Sequence, residues 1–214
     1  TVTFTSPGTI ASVEINDSNA LDLGALTVAS NLTVTAGGAV TNSGTLVVPG
    51  TATISASGQA VTLDDSSNNF GTATITGANV AIRDTNAIIL GASTVSGTYS
   101  VTAGGAITDS GALAITGVTT IAAGSGNNIT LDHTSNNFQG AVQITSGNNV
   151  TLVDAGAIDL GASTVSGTYA VTATAGADIT DSGGLTITGA ATFTAANGHS
   201  IYLDGANTFS NTVT

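Results

Sequence analysis

The chain has 214 residues with one Arg, no Lys and 13 acids, a net charge of −12; Cys, Met and Trp are absent and Thr occurs 39 times. With 7% charged residues, helical i,i+4 ion pairs are unavailable, whereas Thr, Val, Ile and Gly favour strands and tight turns. A lone cation gives no electrostatic footprint for nucleic acid or anionic lipid, and 41% apolar residues in regular short runs exclude disorder. A thiol-free, lysine-free surface suits an extracellular setting of oxidants and proteases. No apolar run is long enough to span a membrane, so no membrane insertion is expected. Without a signal peptide or an initiator Met, the chain is expected to be a piece of a longer protein.

In chain order, Ala20-Leu21-Asp22-Leu23-Gly24-Ala25 returns as Ala87-Ile88-Ile89-Leu90-Gly91-Ala92 and as Ala157-Ile158-Asp159-Leu160-Gly161-Ala162, at intervals of 67 and 70. Thr62-Leu63-Asp64, Thr130-Leu131-Asp132 and Tyr202-Leu203-Asp204 keep step, as do Phe70, Phe138 and Phe209, and residues 90–99 are identical to 160–169. Three units follow, approximately 1–69, 70–137 and 138–214. Within them an apolar β-branched residue, usually followed by Thr, recurs at Val13, Val34, Val61, Val80, Val101, Ile129, Val150, Val171 and Ile201. The intervals of 21, 27, 19, 21, 28, 21, 21 and 30 predict two short turns and one long turn per unit.

Turns of about 20 residues carrying short strands describe a stacked solenoid. Segments such as Val61-Thr62-Leu63 and Val150-Thr151-Leu152 alternate an inward aliphatic residue with an outward Thr. The expected fold is an all-β, right-handed parallel β-helix of about ten coils, a rod roughly 45 Å long at about 4.8 Å per coil. The long turn absorbs variation, since Val171 to Gly183 carries two residues more than Val101 to Gly111. Gly58, Gly126 and Gly198 precede matching strands and are expected at turns needing positive φ.

Most acids obey the repeat. Asp17, Asp84 and Asp154 match one another, as do Asp64, Asp132 and Asp204, while Asp109 matches Asp181 with Asn42 in the first unit. A catalytic centre occurs once in a chain, whereas a turn residue recurs with its turn. These acids are therefore expected to accept backbone N–H groups at bends, and no enzymatic activity is expected. Stacked acids could alternatively hold Ca²⁺, for which Asp64 with Asp65 and Asp178 with Asp181 are the candidates; no other cofactor is implied. His133 and His199 replace turn residues of other units, and Arg83 stands where the others carry Asn16 and Val153. Tyr99, Tyr169 and Tyr202 are candidate stacking surfaces for carbohydrate. The pairs Thr33/Thr35, Thr72/Thr74/Thr76, Thr186/Thr188 and Thr192/Thr194 raise ice binding, but they are not expected to recur at one position in every turn.

AGGAITDSGALAITG, GNNITLDHTSNNF and GNNVTLVDAGAIDLGAS resemble the central repeats of filamentous-haemagglutinin-like adhesins, bacterial proteins exported by two-partner secretion. The resemblance covers essentially the whole chain. It implies a right-handed β-helical shaft displayed at the cell surface for attachment or biofilm cohesion. The expected function is a structural shaft of such a secreted adhesin, with a carbohydrate-binding module and an ice-binding solenoid as alternatives. Expected partners are a host or neighbouring-cell surface or extracellular polysaccharide, met through the full-length protein, together with end-to-end or lateral self-association.

Overall fold

The structure is a computed structural model that describes residues 1–3, 10–175 and 177–214. Among these there is no helix; short strands follow one another through about ten turns of a β-solenoid, and every strand pairing is parallel. A long sheet climbs through ten turns from Val13–Asp17 to Ala191–Thr194, and a second sheet through ten from Leu21–Leu23 to Ile201–Tyr202. Short strands such as Leu26–Thr27, Leu113–Ile115 and Leu185–Ile187 build a third, narrower face.

Alternation sets which residues face inward. Along Leu32–Ala36, Val61–Leu63 and Ile129–Leu131 every second side chain is buried, as period-2 strands require. Stacking then places like on like: Val34 pairs with Ile54 and Ile54 with Ile75, while Ile107 pairs with Ile129 and Ile129 with Val150. The result is one continuous aliphatic core from Leu21 to Phe193.

The turns are of one kind, not two. In the long sheet Val13 pairs with Leu32, Leu32 with Ala52 and Ala52 with Ala73, intervals of 19, 20 and 21 residues. Ala73 then pairs with Leu90 at 17, Ile88 with Ile107 at 19, and Ile107, Ile129 and Val150 follow at 22 and 21. The expected long turn is a turn and a half. Val34 belongs to the long sheet, but Val61 pairs with Val40 in the second sheet, and Val101 and Ile129 likewise stand on different sheets. Each unit therefore spans three and a half turns, and its equivalents change sheet at every repeat. Val13 lies in the long sheet, Val80 in the second, and Val150 in the long sheet again.

At the widest bends Gly58, Gly124 and Gly198 adopt φ of 72°, 84° and 84°, a region open to Gly at no steric cost. Gly58 and Gly198 are as expected; in the second unit Gly124 takes this role in place of Gly126. The two extra residues of the third unit lie between Ala173 and Ile179, a bend whose residue 176 is outside the described residues.

Core truncation tests the stacking. Ile107→Ala removes a fully buried side chain held between Ile88 and Ile129 and is expected to cost about 2–5 kcal/mol. Because a solenoid couples each turn only to its neighbours, hydrogen exchange should quicken first at residues 88–90 and 129–131. Uniform acceleration along the chain would contradict that coupling.

Candidate functional site

The most constrained polar chemistry of this chain lies at the unit boundaries, and it follows from the half turn. Main-chain N–H groups of the third face point toward the following turn, Leu26 N to Thr45 O and Val28 N to Val47 O. Val48 is topped by Phe70, and Ile115 by Phe138. Beyond each Phe the chain switches phase, the column ends, and its last amide lacks a strand partner.

Asp84 and Asp154 fill those vacancies. Asp84 Oδ2 accepts the Phe70 N–H at 2.6 Å and Oδ1 accepts that of Asn86 at 2.8 Å. Asp154 repeats this with Phe138 at 2.7 Å and Gly156 at 2.5 Å. Both carboxylates are buried. Desolvation outweighs the amide hydrogen bonds and raises both from the ordinary aspartate value. Asp17 makes the same local turn, accepting the Asn19 N–H at 2.8 Å. All three carboxylates accept main-chain N–H groups at bends, and burial sets Asp84 and Asp154 apart from the half-buried Asp17.

A second cap stands beside each. The strand at 72–77 is followed above by two short strands, Ile88–Leu90 and Ser93–Val95, with a bend between them. Ile75 N, beneath that bend, donates to Ser93 Oγ at 3.0 Å, and Ser93 Oγ donates to Gly91 O at 2.9 Å. Ser163 treats Ile144 and Gly161 identically. These serines belong to the decapeptide that two units share unchanged, which is the signal by which sequence alone could have found them.

Asn68, Asn136 and Asn207 form a third set that the sequence reading missed. Their Oδ1 atoms accept the N–H groups of Leu46, Leu113 and Leu185 at 2.8, 2.9 and 2.8 Å. Asp109 and Asp181 in turn accept the Asn136 and Asn207 side-chain amides, both at 2.6 Å, together with the N–H groups of Asp132 and Asp204. In the first unit Asn42 donates to Asn68 instead, and its own Oδ1 has no partner.

Other expectations fare differently. Asp64, Asp132 and Asp204 are exposed; the first-unit bend is held instead by Asp65, which accepts the Ser67 N–H at 2.9 Å, and in the second unit His133 Nδ1 accepts that of Ser135 at 3.2 Å. Of the calcium candidates, Asp178 lies 3.3 Å from His199 and accepts the Ser200 N–H, and Asp181 is engaged as described. Among the described residues no three His, Cys, Asp or Glu side chains gather where they could hold a metal ion. Tyr99 and Tyr169 are not stacking surfaces. Both are fully buried, because they share strand parity with the core residues Val101 and Val171. Burial pushes both phenols far up from their ordinary value, and their hydroxyls, beside Ser93 and Ser163, have no hydrogen-bond partner. Tyr202 alone is exposed, at 56%.

The threonines also correct the sequence reading. Thr51, Thr72, Ile89, Thr108, Thr130 and Thr151 occupy one outward column of the long sheet, and Ala170 and Thr192 extend it. A position filled by Thr in six of these eight turns was hidden because the unit changes sheet.

The fold and these bends define a repeat protein of the parallel β-solenoid class, with chemistry directed at its own backbone. The chain belongs to the family of repeats of unknown function (DUF5649), whose model matches residues 11–76, 77–145 and 147–214 in succession. Among curated proteins and among solved structures none matches.

Removing a boundary cap should show at once. Asp84→Ala strands two amides and is expected to cost about 2–6 kcal/mol at neutral pH, at about 1–3 kcal/mol per unsatisfied group; Asp84→Asn, which keeps one acceptor, should cost less. Because the folded pKa of Asp84 and Asp154 lies above the unfolded value, their titration favours folding fully below about 3.8, and that contribution is lost as pH rises through the folded pKa. Urea midpoints should therefore gain relative to the Asp84→Asn/Asp154→Asn double variant as pH falls from 7 toward 4. A gap that moves the other way would refute the assignment.

Proposed function

We propose that this chain is a length of shaft from a large secreted surface protein of the filamentous-haemagglutinin-like adhesin kind. Its contribution is mechanical: it holds a binding element at a distance from the cell that displays it, in attachment or in cohesion between cells. The observation that carries this reading is the short turn of 17 to 23 residues between in-register partners such as Ala73 and Leu90, Val13 and Leu32, or Thr119 and Val142, over one unbroken core. Such a stack grows by whole units without redesign, because each turn needs only its neighbours. The polar side chains best fixed by the fold, Asp84, Asp154, Ser93 and Asn136, are spent on main-chain groups, which supports a structural role over catalysis.

Reach is the property to test. Inserting one more unit of three and a half turns into the parent protein should lengthen the shaft by about 17 Å at about 4.8 Å per turn, measured by small-angle scattering or electron microscopy. Cell attachment should change with unit number while affinity of the binding element stays constant. Attachment that ignores unit number, or micromolar binding of a defined glycan by this chain alone, would overturn the shaft reading.

A further inference from the structure

We infer that the outer face of the long sheet is a self-association surface, through which two copies of this chain pair side by side about a twofold axis. This deepens the shaft reading by naming a partner, and rests on it only for the cohesive role of the contact.

Charge is distributed unevenly between the sheets. Among the described residues that point outward from the long sheet in its paired register, Glu14, in the first turn, is the one charged residue. The second sheet carries Asp22, Arg83 and Asp159 outward. Because the unit changes sheet at each repeat, one unit position can be compared on both faces. Asp22 and Asp159, on the second sheet, are held by hydroxyls of the next turn, Thr41 and Ser43 for the first and Ser182 for the second. Their equivalent in the second unit falls on the long sheet, where it is Ile89, 40% exposed. Likewise Arg83 on the second sheet corresponds to Asn16 and Val153 on the long one. At these two positions charge is present where the chain faces out from the second sheet and missing where it faces out from the long one; Glu14 is the exception, its second-sheet equivalent being Ala81.

A second copy fits this face better than another partner. Interface cores are depleted in charge, and contact through the long sheet leaves most of the −12 net charge on the sides turned away. Ten strands of about five residues give roughly 700 Å² per copy, from about 4.8 Å between strands and 3.3 Å per residue; a standard interface needs about 800 Å² per partner. Ile89 sits on the fifth of the ten strands, close to where a twofold axis must pass, so the exposed isoleucine would meet its own copy. The threonine columns would interdigitate on either side, and Glu14 would lie against the uncharged tenth strand, Ala191–Thr194.

Sedimentation equilibrium of the intact chain tests this. A reversible dimer is expected that tightens as salt rises to about 0.3 M, because screening relieves acid repulsion. Ile89→Asp, which installs the residue the other two units carry, should weaken the dimer at least tenfold with an unchanged circular dichroism spectrum, whereas Ser100→Asp on the second sheet should leave it intact. Thr108→Cys, on the sixth strand beside Ile89, should cross-link between copies with a short bis-maleimide and Thr120→Cys, on the second sheet, should not; this pair of results stands even where Ile89→Asp fails to fold. A monomer at every concentration, cross-linking through position 120, or end-on oligomers indifferent to Ile89→Asp would overturn the inference. So would ice shaping by a monomer that Ile89→Asp abolishes, which would assign the face to ordered water. Loss of the dimer with reach unchanged would leave the shaft reading standing.

Discussion

The rest of the structure depends on one constraint, that each amide of one turn must find an acceptor in the next. An unpaired buried N–H costs about as much as the hydrogen bond it lacks, and a solenoid presents several per turn. Where turns repeat, main-chain carbonyls answer, as Thr45 O answers Leu26 N. Where one strand is followed by two short ones, or a column ends, a side chain must. The recurring Asp, Ser and Asn residues are what a solenoid needs when its unit is not a whole number of turns.

The half turn explains which parts of the molecule were legible in the sequence. Strand alternation, turn length and the stacked core follow from period-2 patterning in segments such as Val61-Thr62-Leu63, and the fold follows from those. Sheet membership was hidden, because a Val-Thr strand looks the same on either face. Val34 and Val61 therefore read as neighbours in one series with a long turn between them, and the threonine column at Thr108, Thr130 and Thr151 went unseen. Tyr99 and Tyr169 were a different failure. An amphipathic ring was placed outside by chemical habit, though two residues before the inward Val101 and Val171 the parity already put each inside. Asn68 and Asn136 were missed because a turn-favouring residue gives no sign of being buried by the turn above.

The half turn also changes what a repeat means here. Consecutive units present equivalent residues on opposite sheets, so two units and seven turns make the true structural period. A mutation copied into all three units would alter both faces of the solenoid. Divergence between units is then partly divergence between faces, as Asp22, Ile89 and Asp159 illustrate.

Side-chain choice at the boundary follows from counting donors and acceptors. At Asp84 two amides on separate segments, Phe70 and Asn86, need acceptors at once and nothing nearby needs a donor, so a carboxylate serves where an amide would offer one oxygen and waste two hydrogens. At Ser93 one amide needs an acceptor and the Gly91 carbonyl needs a donor, which a hydroxyl supplies with a single atom. At Asn136 the Leu113 amide needs an acceptor while Asp109 needs a donor, which is the pairing a carboxamide makes. Burying the Asp84 charge carries a desolvation cost, visible in its raised pKa. In return the boundary accepts one register only, since a slip by one residue would carry Phe70 N away from the carboxylate and turn every inward aliphatic side chain to solvent.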